Sequence, residues 1–507
     1  QPDWQWGISG GSFTAITNSE QVESLTTDPQ GNVFFNASIG PSNLTLDGLP
    51  QDFYGNSNSI SQLIGSFDCE GNYRWSRTIG GGAGLSKFNV SKIKTDNEGN
   101  VYFSGRVIRN TNNNVNITFG GLGFGAVPDT ILPQSSSQSN THKRGLFLVK
   151  YNNDGVMQWL KFPQAEDIPF TDAASSTVHA LEVDPETGHS YILARLMPGI
   201  YGDGAFEVTA EPALDYVLEY DTVGNFVSGT LMDFLIFSND YVFRRNHQTG
   251  RFYLSGYVSS LGNPFVINDE SFTGTFVAGF EPNGNFLWVE NATVNFAVIK
   301  DIYIDEEDDS VYITGGMGNN VNFFGITFVN PSSNNMASML FKASGDGELL
   351  WHTYATGGLG RIPAAIALSG GDIGLLSNSA SLVWQDFEIV PPATNGGDNV
   401  YIMRFDKYSG TMSDLNVIES NFGNNEYSIA LTSDSFGNYY AGGRFSQFMY
   451  VGEDTLLNGS GSFDFFVAKY GSDNCNCALP TSNFSTEGAG TDYNFTFTGS
   501  TEGSTVT

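Results

Sequence analysis

Short runs in which apolar and polar positions alternate cover most of the chain, and each run ends in a turn. In "DNEGNVYFSG" (residues 96 to 105) a polar turn with a glycine leads into a strand that is apolar or aromatic on both alternating faces. Asp96 can accept hydrogen bonds from backbone N–H groups ahead of it, Gly99 supplies a positive φ, and Asn100 suits a left-handed backbone. Upstream, "VSKIKT" (residues 90 to 95) reads as the partner strand of a hairpin. Worn copies of this turn and strand begin at positions 28, 96, 184, 246, 305, 369 and 434.

A second hairpin follows each first one. "LFLVKYNNDGVMQW" ends at Trp159, and its copies end at Trp75, Trp288 and Trp351, each with a glycine in the turn. Two hairpins make four antiparallel strands. A sheet apolar on both faces is stable only between two neighbours, and seven such sheets packed around an axis form a propeller. The seventh copy stops after three strands, while "DWQWGIS" stands at residues 3 to 9 with no hairpin before it. The expected fold is therefore all-β, a seven-bladed propeller of four-stranded blades over residues 1–472. Its last blade is closed by the N-terminal strand, which removes exposed edges.

Composition narrows the partners. Asp and Glu number 54 against 22 Lys and Arg, a net charge of −32 over 507 residues. Such a surface repels phosphate backbones and anionic headgroups, so nucleic acid is not an expected partner. No apolar run reaches the roughly 20 residues of a membrane helix, so membrane insertion is not expected. No export signal is visible at Gln1. The three cysteines are too few for a disulfide scaffold; at most one bridge is expected, Cys69 with Cys475 or Cys477, against the open alternative of three free thiols.

The repeat resembles the SBBP family of β-propeller repeats of secreted bacterial proteins. The likeness rests on the turn and strand at 96–105, "FVAKY" at 466–470, "DGVMQW" at 154–159 and the GG turns at 81 and 357. Beyond a linker at 473–480, residues 481–507 resemble the opening of a PKD-like, immunoglobulin-type sandwich. These resemblances imply a large exported surface protein of the Bacteroidetes, a type IX secretion substrate handled by the secretion machinery, with gliding among its associated roles.

Any ligand is expected on the face that carries the long second-to-third loops, because loops on a rigid scaffold are where binding usually resides. The loop aromatics Phe124, Phe324 and Trp384 are candidates, against the plainer reading that these loops only cap the rim. Arg106, Arg195 and Arg444 follow the second strands of three blades and could hold a carboxylate, although surface pairing with the abundant acids is the simpler account. Thr130, Thr222 and Thr455 lie in "DTI", "DTV" and "DTL" and resemble O-glycan acceptors of the Bacteroidetes.

No catalytic residues are identified. "GISGG" at 7–11 matches a nucleophile elbow in letters but follows a strand with no helix behind it. The histidines are scattered, and no cofactor or metal is expected. A structural calcium at "DEEDD" (residues 305 to 309) is weighed against a solvated acidic turn, and the turn is preferred. The leading expectation is a noncatalytic surface module for adhesion or assembly that meets a surface glycan or a protein partner. The alternatives are a glycan hydrolase or lyase using the central channel, and a passive cargo or spacer module.

Overall fold

The computed structural model describes residues 2–12, 20–40, 43–54, 60–81, 90, 92–106, 116–132, 141–142, 145–163, 168–169, 176–209, 213–232, 234–235, 241–258, 265–292, 297–329, 336–356, 363–379, 381–389, 399–420, 426–458 and 463–472. The linker and PKD-like segment, Cys475 and Cys477 lie outside the described residues, so the proposed bridge has only Cys69, buried, on view.

Seven four-stranded antiparallel sheets follow one another along the chain. Blade 1 is built from Gln21–Thr27, Val33–Ile39, Ser61–Phe67 and Tyr73–Gly81, and blade 2 from Lys94–Thr95, Val101–Arg106, Leu146–Tyr151 and Met157–Lys161. Blades 3 to 6 repeat the plan from Thr177, Tyr241, Ala297 and Ala365. Blade 7 takes Tyr427–Ser433, Tyr439–Ser446 and Phe463–Gly471 from the end of the propeller and Asp3–Gly11 from its beginning. The N-terminal strand runs antiparallel to the last one from Asp3 opposite Gly471 to Gly10 opposite Phe465, and this is the expected closure. "GISGG" is part of that strand.

The turns explain why the sequence pattern recurs. Asp96 Oδ1 accepts the N–H groups of Glu98 and Asn100, and Gly99 has φ of 74°. Asn100 does not adopt the left-handed conformation expected of it; its side-chain amide donates to Asp96 Oδ2 at 2.8 Å and clamps the turn shut. Asp28 with Asn32 and Asp434 with Asn438 repeat both bonds.

Tryptophan then ties blade to blade. The Trp75 indole of blade 1 donates to the Asn153 carbonyl in the third-to-fourth turn of blade 2 at 2.8 Å. Trp159, Trp288 and Trp351 reach the corresponding turns of blades 3, 5 and 6, and Trp6 reaches the Cys69 carbonyl of blade 1. Each indole lies over the turn glycine of the next blade, so a Cβ on Gly155 would come within 2.5 Å of Trp75. The position four residues past the turn glycine is Asp414 in blade 6. No continuous third-to-fourth turn exists in blade 7 for an indole to meet there, and Asp414 instead accepts the Tyr470 hydroxyl at 2.5 Å.

Every second-to-third loop carries a small hairpin, and each of the seven leans on the outer edge of the preceding blade or the chain just beyond it. Thr45–Leu46 pairs with the closing strand at Gly10 and Gly11, Ile117–Phe119 pairs with Ile79–Gly81, and Phe448–Val451 pairs with the end of blade 6. Phe265–Ile267 pairs with Phe234–Leu235 just past blade 3. The Gly202 N–H donates to the Pro163 carbonyl, that of Phe324 to Glu290, and that of Thr356 to the Val383 carbonyl. The inserted pieces are therefore straps between blades.

Glu20 stands where the closing strand passes into blade 1. Its carboxylate accepts the N–H of Ser12 at 2.9 Å and of Gly40 at 2.8 Å and meets the Ser12 hydroxyl. Burial pushes its pKa from 4.5 up to about 7, and Asp464 adds to the rise.

Two outcomes are expected. Gly155→Ala and Gly48→Ala both place a Cβ at positive φ, a cost of roughly 1–2 kcal/mol, but nothing lies within 4 Å of the Gly48 position. Urea denaturation should therefore show Gly155→Ala losing clearly more stability than Gly48→Ala. Because folding raises the Glu20 pKa, the folded state holds more protons between the two values, so stability falls as pH rises from 4.5 to about 7. The loss is on the order of 3 kcal/mol at most, and Glu20→Gln should flatten that part of the pH–stability curve.

Candidate functional site

The innermost strands of all seven blades enclose an axial cavity of about 500 Å³. The first-to-second turn residues Pro185, His247, Gln248, Glu306 and Glu307 also line it, so it opens towards the tight-turn face. Blades 2 to 5 give it a charged wall. Lys94 meets Glu182 at 2.8 Å, Glu182 meets Arg244 at 3.4 Å, and Arg244 meets Asp301. Lys92 of blade 2 reaches across the axis to Asp301 of blade 5 at 3.4 Å and spans the channel there. The Ile366 N–H of blade 6 donates to the same carboxylate at 3.3 Å.

Burial within this ladder moves its titrations. The pKa values of Lys92 and Lys94 are pushed down by loss of water, although Lys92 keeps 43% of its side chain exposed to the cavity. Burial favours the protonated form of Asp301, but Lys92 and Arg244 outweigh it and hold the carboxyl below its ordinary value. His247 is pushed down to about 4, first by burial, and is neutral at pH 7. The Tyr303 hydroxyl is pushed up to about 12 by burial. None of these groups forms a recognisable local motif, because neighbours in the ladder come from strands 50 or more residues apart.

The arginines expected to act together do not meet. Arg195 donates to the fully buried Asp215 at 2.6 Å, with His179 Nε2 3.3 Å from the other carboxylate oxygen and the Tyr241 ring 4.6 Å from the imidazole. Arg444 lies over the rings of Tyr427 and Phe463 in blade 7. Arg106 ends a strand of blade 2, half-buried, its pKa pushed down by burial. No described contact joins any two of the three.

The loop aromatics divide. Trp384 is fully buried against Phe405 and donates its indole N–H to Thr353, so its ring offers no ligand surface and its candidacy is withdrawn. Phe324 sits at φ of 52° in a strap turn and packs on Trp288 and Phe341, which makes it an inter-blade contact. Phe124 is 59% exposed.

The proposed glycan motifs have structural duties at their aspartates. Asp129 pairs with Arg77, Asp221 caps its turn through Val223 and Asn225, and Asp454 accepts the Gly7 N–H. The Thr222 hydroxyl accepts from Lys150 at 2.9 Å, Thr130 is half-buried, and Thr455 is exposed on a strap. The 305–309 turn is solvated at Glu307 and Asp308, as expected, but Asp305 is buried and every carboxylate of the run has a partner. Asp305 and Glu307 take Lys407, Asp308 takes Lys342, Asp309 takes Arg251 and the Tyr253 hydroxyl, and Glu306 accepts the His247 N–H. They are aimed at separate partners, several of them in adjacent blades.

No family model and no curated protein sequence matches the chain. Solved structures that resemble it include a PL25 ulvan lyase, a polysaccharide lyase bound to -[GlcA(1-4)Rha3S]-. The TM-score is 0.44 at 9% identity, over 90% of this chain and 97% of that one. The β-propeller domain of the Trilobed protease from Pyrococcus furiosus, described as an open velcro topology, gives 0.40 at 8% identity, over 87% and 98%. Both are likenesses of overall fold at low identity. Among the described residues no helix is long and apolar enough to cross a membrane.

Removing one member of a buried ion pair strands the other charge. Arg244→Met is expected to cost about 3–5 kcal/mol by chemical denaturation, and the double variant Arg244→Met/Asp301→Asn should recover part of that loss.

Proposed function

We propose that this propeller is a noncatalytic binding module of a secreted or surface protein, and that a surface glycan or protein partner docks on the loop between Phe119 and Thr130. One observation carries this reading. The loop exposes Leu122, Phe124 and Val127, the last 86% exposed, and Ile131 just beyond it, while its backbone is pinned. The Gly120 N–H donates to the Thr78 carbonyl, that of Gly123 to the Ser76 carbonyl and that of Gly125 to Asp52, and Arg77 holds both the Gly120 carbonyl and Asp129. Apolar side chains turned to water on an ordered loop have already met the entropic cost of ordering, which favours association.

The paired state of the axial charges supports a noncatalytic role, since each cation of the ladder already faces a carboxylate. The acidic surface and the repeat's resemblance to secreted proteins support an exported setting. A glycan-active enzyme is the second reading, and His179 beside the buried Asp215 and Tyr241 is the observation that favours it.

The triple variant Leu122→Ser/Phe124→Ser/Val127→Ser tests the proposal. Purified propeller should be retained on a glycan array or on beads bearing surface proteins of its own cell, and the variant should bind at least tenfold more weakly with an unchanged melting temperature. Equal retention of the two proteins would remove the loop from the account.

A further inference from the structure

We propose that the axial cavity is a binding site for a small, uncharged, hydroxyl-rich ligand of the mono- or disaccharide class, entering from the tight-turn face. The proposal rests on different residues from the Phe124 loop and stands or falls independently of it.

Three features of the cavity select this chemistry. The first is its asymmetry. Facing the charged wall, blades 7 and 1 present Thr432, Ser433, Thr26 and Thr27, half-buried hydroxyl side chains short enough to leave the space open, while Ala365, Ala367 and Ala430 turn into the cores between blades. The resulting volume of about 500 Å³ lies inside the range of roughly 300–1,000 Å³ typical of small-molecule pockets. The threonines offer a methyl and a hydroxyl together on one side, and the ion-pair ladder offers charged groups on the other. A pyranose, with C–H groups on its faces and hydroxyls around its edge, suits such a mixed lining.

The second feature is the backbone. The innermost strand of each blade has no neighbour on its axial side, so its edge presents both N–H and C=O groups. The Ile366 N–H, which donates to Asp301, shows that such groups are within reach of side chains on the axis. A hydroxyl both donates and accepts, and so can meet a lining of mixed donors and acceptors. A simple anion only accepts and an ammonium only donates, and each would leave half of the lining unmet.

The third feature is charge balance. Lys94, Glu182, Arg244, Asp301 and Lys92 alternate in sign, while Glu306 and Glu307 stand at the mouth and the whole chain carries −32. An anion would be repelled on approach, and a bare cation would have to lie beside Lys92, Lys94 and Arg244. An uncharged polyol meets neither opposition. Arg244 also donates to the Phe243 carbonyl, so the ammonium N–H groups of Lys92 and Lys94 are the donors offered to its oxygens, as hydrogen bonds strengthened by the charge.

The test uses the full chain with glucose, galactose, mannose, maltose and cellobiose as neutral probes, and with glucuronate, glucosamine and sulfate as charged comparators. Binding is read by saturation-transfer NMR and by the shift in melting temperature. At least one neutral saccharide should give both signals. Thr432→Phe, which fills the open side, and Lys94→Met, which removes a ladder donor, should each weaken its Kd at least tenfold. Both variants are first compared with wild type by circular dichroism and size-exclusion chromatography. If Lys94→Met proves poorly folded, Thr432→Phe decides alone, and competition by the bound sugar against chemical modification of Lys92 replaces the second variant. The proposal is overturned if no neutral saccharide binds, if only a charged comparator binds, or if binding is undiminished in Thr432→Phe.

Discussion

The propeller depends on a single repeated contact, an indole of one blade laid over the turn glycine of the next. A four-stranded sheet with two apolar faces has no stable existence in water, so each blade takes its stability from its neighbours. The tryptophan contact fixes how those neighbours meet. The ring covers a place where any side chain would collide, and its N–H satisfies a carbonyl that the turn leaves without a strand partner. Five of the seven junctions use it, at Trp6, Trp75, Trp159, Trp288 and Trp351. Where blade 6 meets blade 7 there is no such turn, because the third and fourth strands of blade 7, Phe463–Gly471 and Asp3–Gly11, come from opposite ends of the propeller. The tyrosine hydroxyl on Asp414 takes over at that junction.

Around this frame the other polar groups are recruited to the same task. The straps extend outer strands and the carboxylates of residues 305–309 hold lysines and arginines, whereas Arg195 and Arg444 take carboxylate and aromatic partners within their own blades. A chain with few bases spends many of them on contacts between blades. The axial ladder belongs to this pattern, since each pair in it joins different blades. Buried ion pairs add little net stability but are sensitive to register. The ladder thus favours one arrangement of blades 2 to 5 and leaves a defined space opposite.

Two surfaces among the described residues carry the proposed binding. One is the pinned loop with Phe124 and Val127 turned outwards, and the other is the axial cavity with short side chains on one wall. They differ in kind. The loop turns apolar side chains to water, whereas the cavity is enclosed and lined by charged and hydroxyl groups.

Local patterns in the sequence determine the blade, because a turn of Asp, Gly and Asn and a strand with two apolar faces are decided within about ten residues. The count of seven and the closure by "DWQWGIS" follow from those patterns, and Phe124 was legible as a loop aromatic. What each polar or aromatic residue touches was decided only by the tertiary structure. Trp384 and Phe124 look alike in a list of loop aromatics, yet one is buried against Phe405 and the other faces water. The ladder from Lys94 to Asp301 has no signature in the sequence, since its members stand in separate repeats. Radial packing alone brings them to one axis, and packing is a property of the assembled ring.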